Sequence, residues 1–476
     1  MIDRPHSSER PAGKLDTTKH PRSRARRDDI GAVVSRFVQE IDSLGDTLPL
    51  AMISIGDAHK HAADRLERFV DTHGENRNEE NGTVDIRGDD ILRFQTLNRR
   101  VARIAAADTL VPRSFLVALV SHYDAFLGRL IQALLLTRPE VLNASEKALT
   151  FSELLSFGSV EAARDHIIEK EVESVLRKSH AEQFDWLEGK FSIRLRQNLK
   201  VWPKFVELAE RRNLFVHTGG QVSAQYLQNC KAHNVDCSKV RRGETLRVTP
   251  AYFHQAYAAV FEIGVKLAHV FWRKLKPDDR ESADAHLTTI TYDLLVERKY
   301  ELAKALLDFA TEVLKEHASN EYRLRFVVNR VQAYKWSGDR KEALGILDKE
   351  DFSALSDQFQ LAEAVLRDDF DRSVALVRRI GRGSSLSLGD YREWPLFQEL
   401  RKHAGFQAAV QEVFGQPLNK VVVHPRDADT SALLEANEVN PGPEGARSDD
   451  VPSPDSTGAE PATDPIGRPD PDGPAA

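Results

Sequence analysis

The segment FVELAERRNLFVHTGGQ, residues 205–221, holds the side chains best placed to do chemistry. Read as a helix, Phe205, Leu208, Ala209, Phe215 and Val216 form an apolar stripe, and Arg212 falls inside it. The neighbours of Arg212 one turn away are Leu208 and Val216, so nothing on its own helix neutralises it. A guanidinium among apolar groups is costly unless an anion reaches it from another element. Asn213 and His217 stand four apart and share an adjoining face, with His217 in the last turn, where the negative helix end favours an imidazolium. Such a pair suits phosphate chemistry: the arginine holds phosphoryl oxygens and the histidine moves a proton. The spacing alone carries little, since 44 arginines and 16 histidines give about 1.5 chance matches to Arg-x4-His, but an asparagine directly after the arginine lowers that to about 0.04.

Other chemistries find less support. Cys230, His233 and Cys237 offer three ligands where a structural zinc takes four, so two packed thiols are expected there and no metal. His59 and His61, two apart, point to different helix faces and read as surface residues. The chain has no phosphate-binding glycine loop, dinucleotide fingerprint, HExxH or GxSxG motif, and no cofactor is expected.

With 476 residues, the chain is long enough for two or three domains. Its formal charge of −7 supplies no global field for nucleic acid or anionic lipid, so a nucleic-acid substrate needs a local basic patch. Lys190, Arg194, Arg196, Lys200 and Lys204 give one candidate, with a solvated face as the alternative. Two cysteines suit a reducing compartment, and the basic first residues lack the apolar run of a secretory signal, so a cytoplasmic protein is expected. The most apolar stretch, 115–136, is interrupted by His122, Asp124, Arg129 and Gln132 and reads as a buried helix with no membrane contact.

The pattern predicts an all-α fold between two disordered tails. Residues 1–28 form a basic arm, and 425–476 hold ten prolines and twelve acidic residues. Helices are expected at 30–44, 52–69, 91–107, 114–137, 159–178, 203–217 and 252–275, with a polar loop or short β excursion at 76–90. Ser121, Asp124, Gly128 and Gln132 make a polar stripe on the apolar helix, from which Asp124 can pair with an arginine of the motif, within a site or as a plain salt bridge. Lys276–Asp279 reads as the boundary of the first domain, 29–276. Beyond it, Tyr300/Ala303/Leu307, Arg340/Ala343/Leu347 and Phe370/Ser373/Val377 share one spacing, in which a small residue lets two helices approach closely. Residues 285–416 therefore resemble a degenerate tetratricopeptide-like array, with an irregular helical domain as the alternative.

ERRNLFVH, residues 210–217, resembles the Arg-x4–6-His signature of the HEPN superfamily, in which a polar residue often follows the arginine. The surrounding segments of 86–276 resemble its RiboL-PSP-type branch. The resemblance implies a helical domain, often a homodimer with two motifs facing across a cleft, and a metal-independent endoribonuclease of the toxin or antiviral-defence kind. It places Arg212 on the phosphorane, His217 as general acid or base, and Asn213 as the residue orienting the imidazole or substrate. Asp124, Ser121 and Glu210 would support them, Arg211 would meet RNA phosphate, and the repeat-like domain would dock a protein partner. Other family members keep the fold and bind RNA, nucleotide or protein without cleavage, so an inactive scaffold is the competing expectation. Loss of Arg212 is expected to cost little stability, because it relieves a buried cation.

Overall fold

The computed structural model describes residues 29–78, 81–144, 150–383 and 386–418; both tails lie outside these. The described chain is all-α, and its one sheet is a two-stranded hairpin. Helix α1 (Ile30–His73), strands β1 (Gly74–Asn78) and β2 (Thr83–Ile86), and helix α2 (Ile91–Thr137) make one long antiparallel excursion. Each long helix replaces two expected shorter ones, running through Pro49 and Pro112. A proline removes one helical hydrogen bond, but Leu48 and Pro112 are both buried, so tertiary packing carries each helix across the gap.

The distal halves of α1 and α2 form a stalk. Leu48, Met52, Ile55, His59, Ala62, Leu66 and Phe69 recur at alternating spacings of four and three and are buried or half-buried. Phe94, Leu97, Val101, Ile104 and Val111 line α2 in the same register. This is the seam of an antiparallel two-helix coiled coil. His59 belongs to that seam, contrary to its reading as a surface residue, whereas His61 is exposed. The polar stretch after α1 forms the β-hairpin tip, with Gly74 opposite Ile86.

By length and composition Gly88–Thr137 could cross a bilayer. The stretch that qualifies is 22% buried, whereas the later part of the helix is enclosed by protein, with Leu119, Tyr123, Phe126, Leu127, Leu130 and Leu134 fully buried. Around it pack the proximal half of α1, α4 (Val160–Leu176), α6 (Trp202–His217) and α8 (Pro250–Leu275), with α3 (Phe151–Ser156), α5 (His180–Phe191) and α7 (Ala224–Ala232) as short connectors. Ser159, Ser179, Ser223 and Thr249 cap their helices through the side-chain oxygen. Where α1 meets α8, the Phe37 ring lies so close to Gly264 that an added Cβ would stand 2.2 Å from it. Gly264→Ala is therefore expected to destabilise the protein by about 1–3 kcal/mol, read as a lowered thermal midpoint; an unchanged midpoint would mean that the ring moves aside freely.

The expected boundary at Lys276–Asp279 is not one. Trp272 donates to Asp279 (2.8 Å) and Arg273 pairs with the fully buried Asp284 (2.8 Å), so the chain turns here inside the core. The same apolar core continues into α9 (Arg280–Val296), α10 (Tyr300–Asp308) and α11 (Asn320–Trp336). A second core is built by α11, α12 (Arg340–Leu347), α13 (Asp357–Leu366), α14 (Phe370–Ile380), α15 (Leu388–Glu393) and α16 (Ala404–Phe414). Three successive pairs result, α9/α10, α11/α12 and α13/α14. Ala303, Ala343 and Ser373 are buried to 1% or less, as close helix approach requires.

Between α1, α8 and α9, Ser35 Oγ contacts His286 Nε2 (2.9 Å) and His286 Nδ1 faces His269 Nε2 (3.3 Å). Burial pushes His286 down to about 4 and holds His269 well below the usual histidine range. Unfolded, these rings take up protons as pH falls below about 6.5; folded, they resist. Their contribution to stability is thus complete above pH 6.5 and is lost as pH falls towards 4. Urea unfolding across that window should show wild type losing about 3 kcal/mol more than His286→Gln; equal losses would contradict the neutral-histidine account.

Candidate active site

Helix α6 starts at Trp202 with Pro203 in its first turn, where the missing N–H costs nothing. It ends at His217: the amides of Thr218 and Gly220 bond the Leu214 carbonyl at 2.8 and 3.0 Å. Gly219 and Gly220 both have positive φ, which a glycine adopts without strain. The Phe215 ring lies under Gly220, where a Cβ would stand 2.8 Å from it.

The anion that Arg212 requires is Asp124 of α2. Arg212 Nη2 donates to Asp124 Oδ2 at 3.0 Å, and His180 Nε2 donates to Oδ1 at 2.9 Å. One carboxylate thus holds a guanidinium and an imidazole from two other helices. Beneath it, His180 packs on Tyr123 and Phe205 (ring centroids 5.8 and 5.5 Å), and Tyr123 packs on Phe205 (4.8 Å). The Tyr123 hydroxyl is buried without a partner among the described residues, and burial together with the Asp124 charge drives its pKa far up. Only Nη2 of Arg212 is hydrogen-bonded among the described residues, and its buried Nε has no partner. The guanidinium is fixed in place, its Nε sealed from solvent and 21% of the side chain still exposed.

The far end of α6 is tied to α2 by Arg113, whose guanidinium donates to the Phe215 carbonyl and lies 5.1 Å over the Phe215 ring. The Asp124–Arg212 and Arg113–Phe215 contacts together tie α6 to α2. His217 is exposed, and neither it nor Asn213 forms a side-chain hydrogen bond among the described residues. Asn213 and His217 lie about 40° apart around the axis, whereas Arg212 and His217 lie about 140° apart. The structure therefore joins Arg212 with Asp124 and leaves His217 on the neighbouring flank.

The remaining candidates are placed as follows. Ser121 Oγ bonds the Val117 carbonyl (2.9 Å) one turn from Asp124, and Glu210 is half-buried. Arg211 departs from the expectation of a free phosphate contact. It donates to Glu207 (2.7 Å) and to the Arg247 carbonyl (3.2 Å) and lies 3.9 Å over the Tyr252 ring. Glu207 also accepts from Tyr226 (2.7 Å) and Tyr252 (2.6 Å). This network walls a cavity of about 320 Å³, lined also by Pro203, Lys204 and Cys237, which includes neither Arg212 nor His217. In the basic stretch, Arg196 is taken by Asp185 and Glu188 (2.5 Å each). The His233 ring packs edge-on against Trp202 (ring centroids 5.9 Å), and no group of three His, Cys, Asp or Glu converges as a metal site among the described residues.

Sequence reasoning missed His180 and Arg113. His180 follows a Ser-x-x-Glu capping box, Ser179 with Glu182, which marks α5 but not its partner. Comparisons with family models, with curated proteins and with solved structures return no match.

Proposed function

We propose that the protein is a metal-independent endoribonuclease of the HEPN type, acting in the cytoplasm as a toxin or antiviral effector. The observation that carries the reading is the anchored guanidinium: Asp124, itself held by His180, takes Nη2 of Arg212, while 21% of the arginine side chain stays open to an incoming phosphate. Next to it, Asn213 and His217 are unengaged among the described residues. In the reaction the ribose 2′-oxygen attacks the adjacent phosphorus and loses its proton to a base. The P–O5′ bond then breaks, and the departing oxygen takes a proton from an acid. Products are a 2′,3′-cyclic phosphate and a 5′-hydroxyl. An imidazole serves either proton step, and the internal nucleophile needs little repositioning.

The 140° between Arg212 and His217 favours a site completed by a second copy, whose His217 would meet the Arg212 of the first. A homodimer belongs to the proposal for that reason. The helical pairs after α9 supply a surface for a protein partner.

The test is incubation of purified protein with structured RNA in EDTA, with analysis of the product ends. Cleavage leaving cyclic phosphates is the expected result. A competing reading, a helical scaffold that binds RNA, nucleotide or protein without cleavage, is favoured by the Asp124–Arg212 pair, which satisfies the arginine in part without substrate. Retention of intact RNA by wild type would select it.

A further inference from the structure

The α1/α2 stalk carries charge that its own fold does not use. Residues 91–107 include four arginines and no acidic residue, in a chain of net charge −7. Arg93 lies over the Phe69 ring (5.4 Å). Arg99, Arg100 and Arg103 are exposed, and none forms an ion pair among the described residues; Arg99 reaches only the Gln95 carbonyl of its own helix (3.2 Å). Other guanidiniums of the protein find carboxylates, as Arg379 does on Asp357 (2.6 Å) and Arg323 on Glu350 (2.8 Å), though not all of them do.

Spacings of three and four put these three arginines on one face of α2. That face continues through Leu110, Ser114 and Val117 to Ser121, all exposed or half-exposed and all short. It runs beside α6, because Arg113 and Asp124, which hold α6, flank it on one side. The 22 residue steps from Arg99 to Ser121 span about 33 Å at 1.5 Å per residue. The track begins with three free cations, offers a low shelf with apolar Leu110 and Val117, and ends one turn from Asp124, which holds the partly exposed Arg212.

We propose that this face of α2 is an RNA track: Arg99, Arg100 and Arg103 bind backbone phosphates, and the strand runs along the helix to Arg212. The direction of the track rests on the nuclease reading; the phosphate contacts do not. A polyanion is the occupant that three unpaired guanidiniums on one face select, since each phosphate contact releases a condensed counterion.

The experiment uses the full chain and a fluorescent 2′-O-methyl RNA of about 30 nucleotides, which lacks the attacking hydroxyl and so reports binding alone. Anisotropy titrations from about 50 to about 200 mM KCl compare wild type with R99Q/R100Q/R103Q, a variant expected to keep its thermal midpoint because glutamine suits an exposed helix. Loss of three contacts should lower the slope of log affinity against log salt by about 2 and weaken binding by about 10-fold or more at low salt. Equal slopes and affinities would overturn the proposal. So would displacement of the RNA by polyglutamate at equal charge, which would assign the face to an acidic protein segment. Cleavage of ordinary RNA is followed in parallel. A wild type that binds through these arginines but never cleaves defeats the nuclease reading alone, and a cleaving triple variant with undiminished binding defeats the track alone.

Discussion

His217→Ala is expected to reduce RNA cleavage in EDTA by about 10²–10⁴-fold, the range lost with a positioned general acid or base. The thermal midpoint should stay at the wild-type value, because the imidazole is exposed and bonds nothing among the described residues. Product analysis on matched preparations decides the matter. Equal cleavage by both proteins would trace the activity to a contaminant. A large fall in the midpoint would make His217 a structural residue of the α6 terminus. Because the proposed site joins two copies, mixing the His217→Ala and Arg212→Ala proteins should restore part of the activity through heterodimers that hold one intact site.

Asp124→Ala is expected to be the substitution in the site that costs the most stability, and to lower activity with it. It strips His180, 8% exposed, of its acceptor and Arg212 of its anion in one step. Leaving hydrogen-bonded groups unpaired costs about 1–3 kcal/mol for each well-buried one. Arg212 and Asp124 keep side-chain exposures of 21% and 31%, so solvent offsets part of the loss. A total near 2–3 kcal/mol follows, visible as a fall in the thermal midpoint, with cleavage lowered by about 10²-fold or more because the guanidinium is no longer held. Arg212→Ala should lose as much activity for a smaller stability cost, since His180 still occupies the carboxylate. That cost is above the negligible one anticipated for an unpaired buried cation. A midpoint unaffected by Asp124→Ala would show that the carboxylate organises nothing.

Much of this architecture was legible because it is local. The start and end of α6 follow from Pro203 and the Gly219–Gly220 pair, and Ser159 caps α4 as its position suggests. The small residues Ala303, Ala343 and Ser373 mark the helix contacts after α9. What was lost depends on partners far away in the chain. Pro49 and Pro112 suggest breaks, but burial around them overrides the missing hydrogen bonds. The break expected at Lys276–Asp279 fails for a similar reason, because Asp279 and Asp284 are recruited by Trp272 and Arg273. In the candidate site, a stripe of polar residues on an apolar helix pointed to Asp124 as a partner for the motif. His180 and Arg113 reach their partners across 56 and 102 positions, and no local pattern reports that.

Helix α11 has a consequence for anyone dissecting the protein. Phe326 and Ala333 belong to one apolar core, while Val327, Val328 and Val331 belong to the other. A fragment ending near residue 276 would bare the side of α8 that α9 and α10 cover, and a fragment starting there would leave α9 and α10 without their floor. Neither half is a free-standing piece, because α11 is packed into both apolar cores at once.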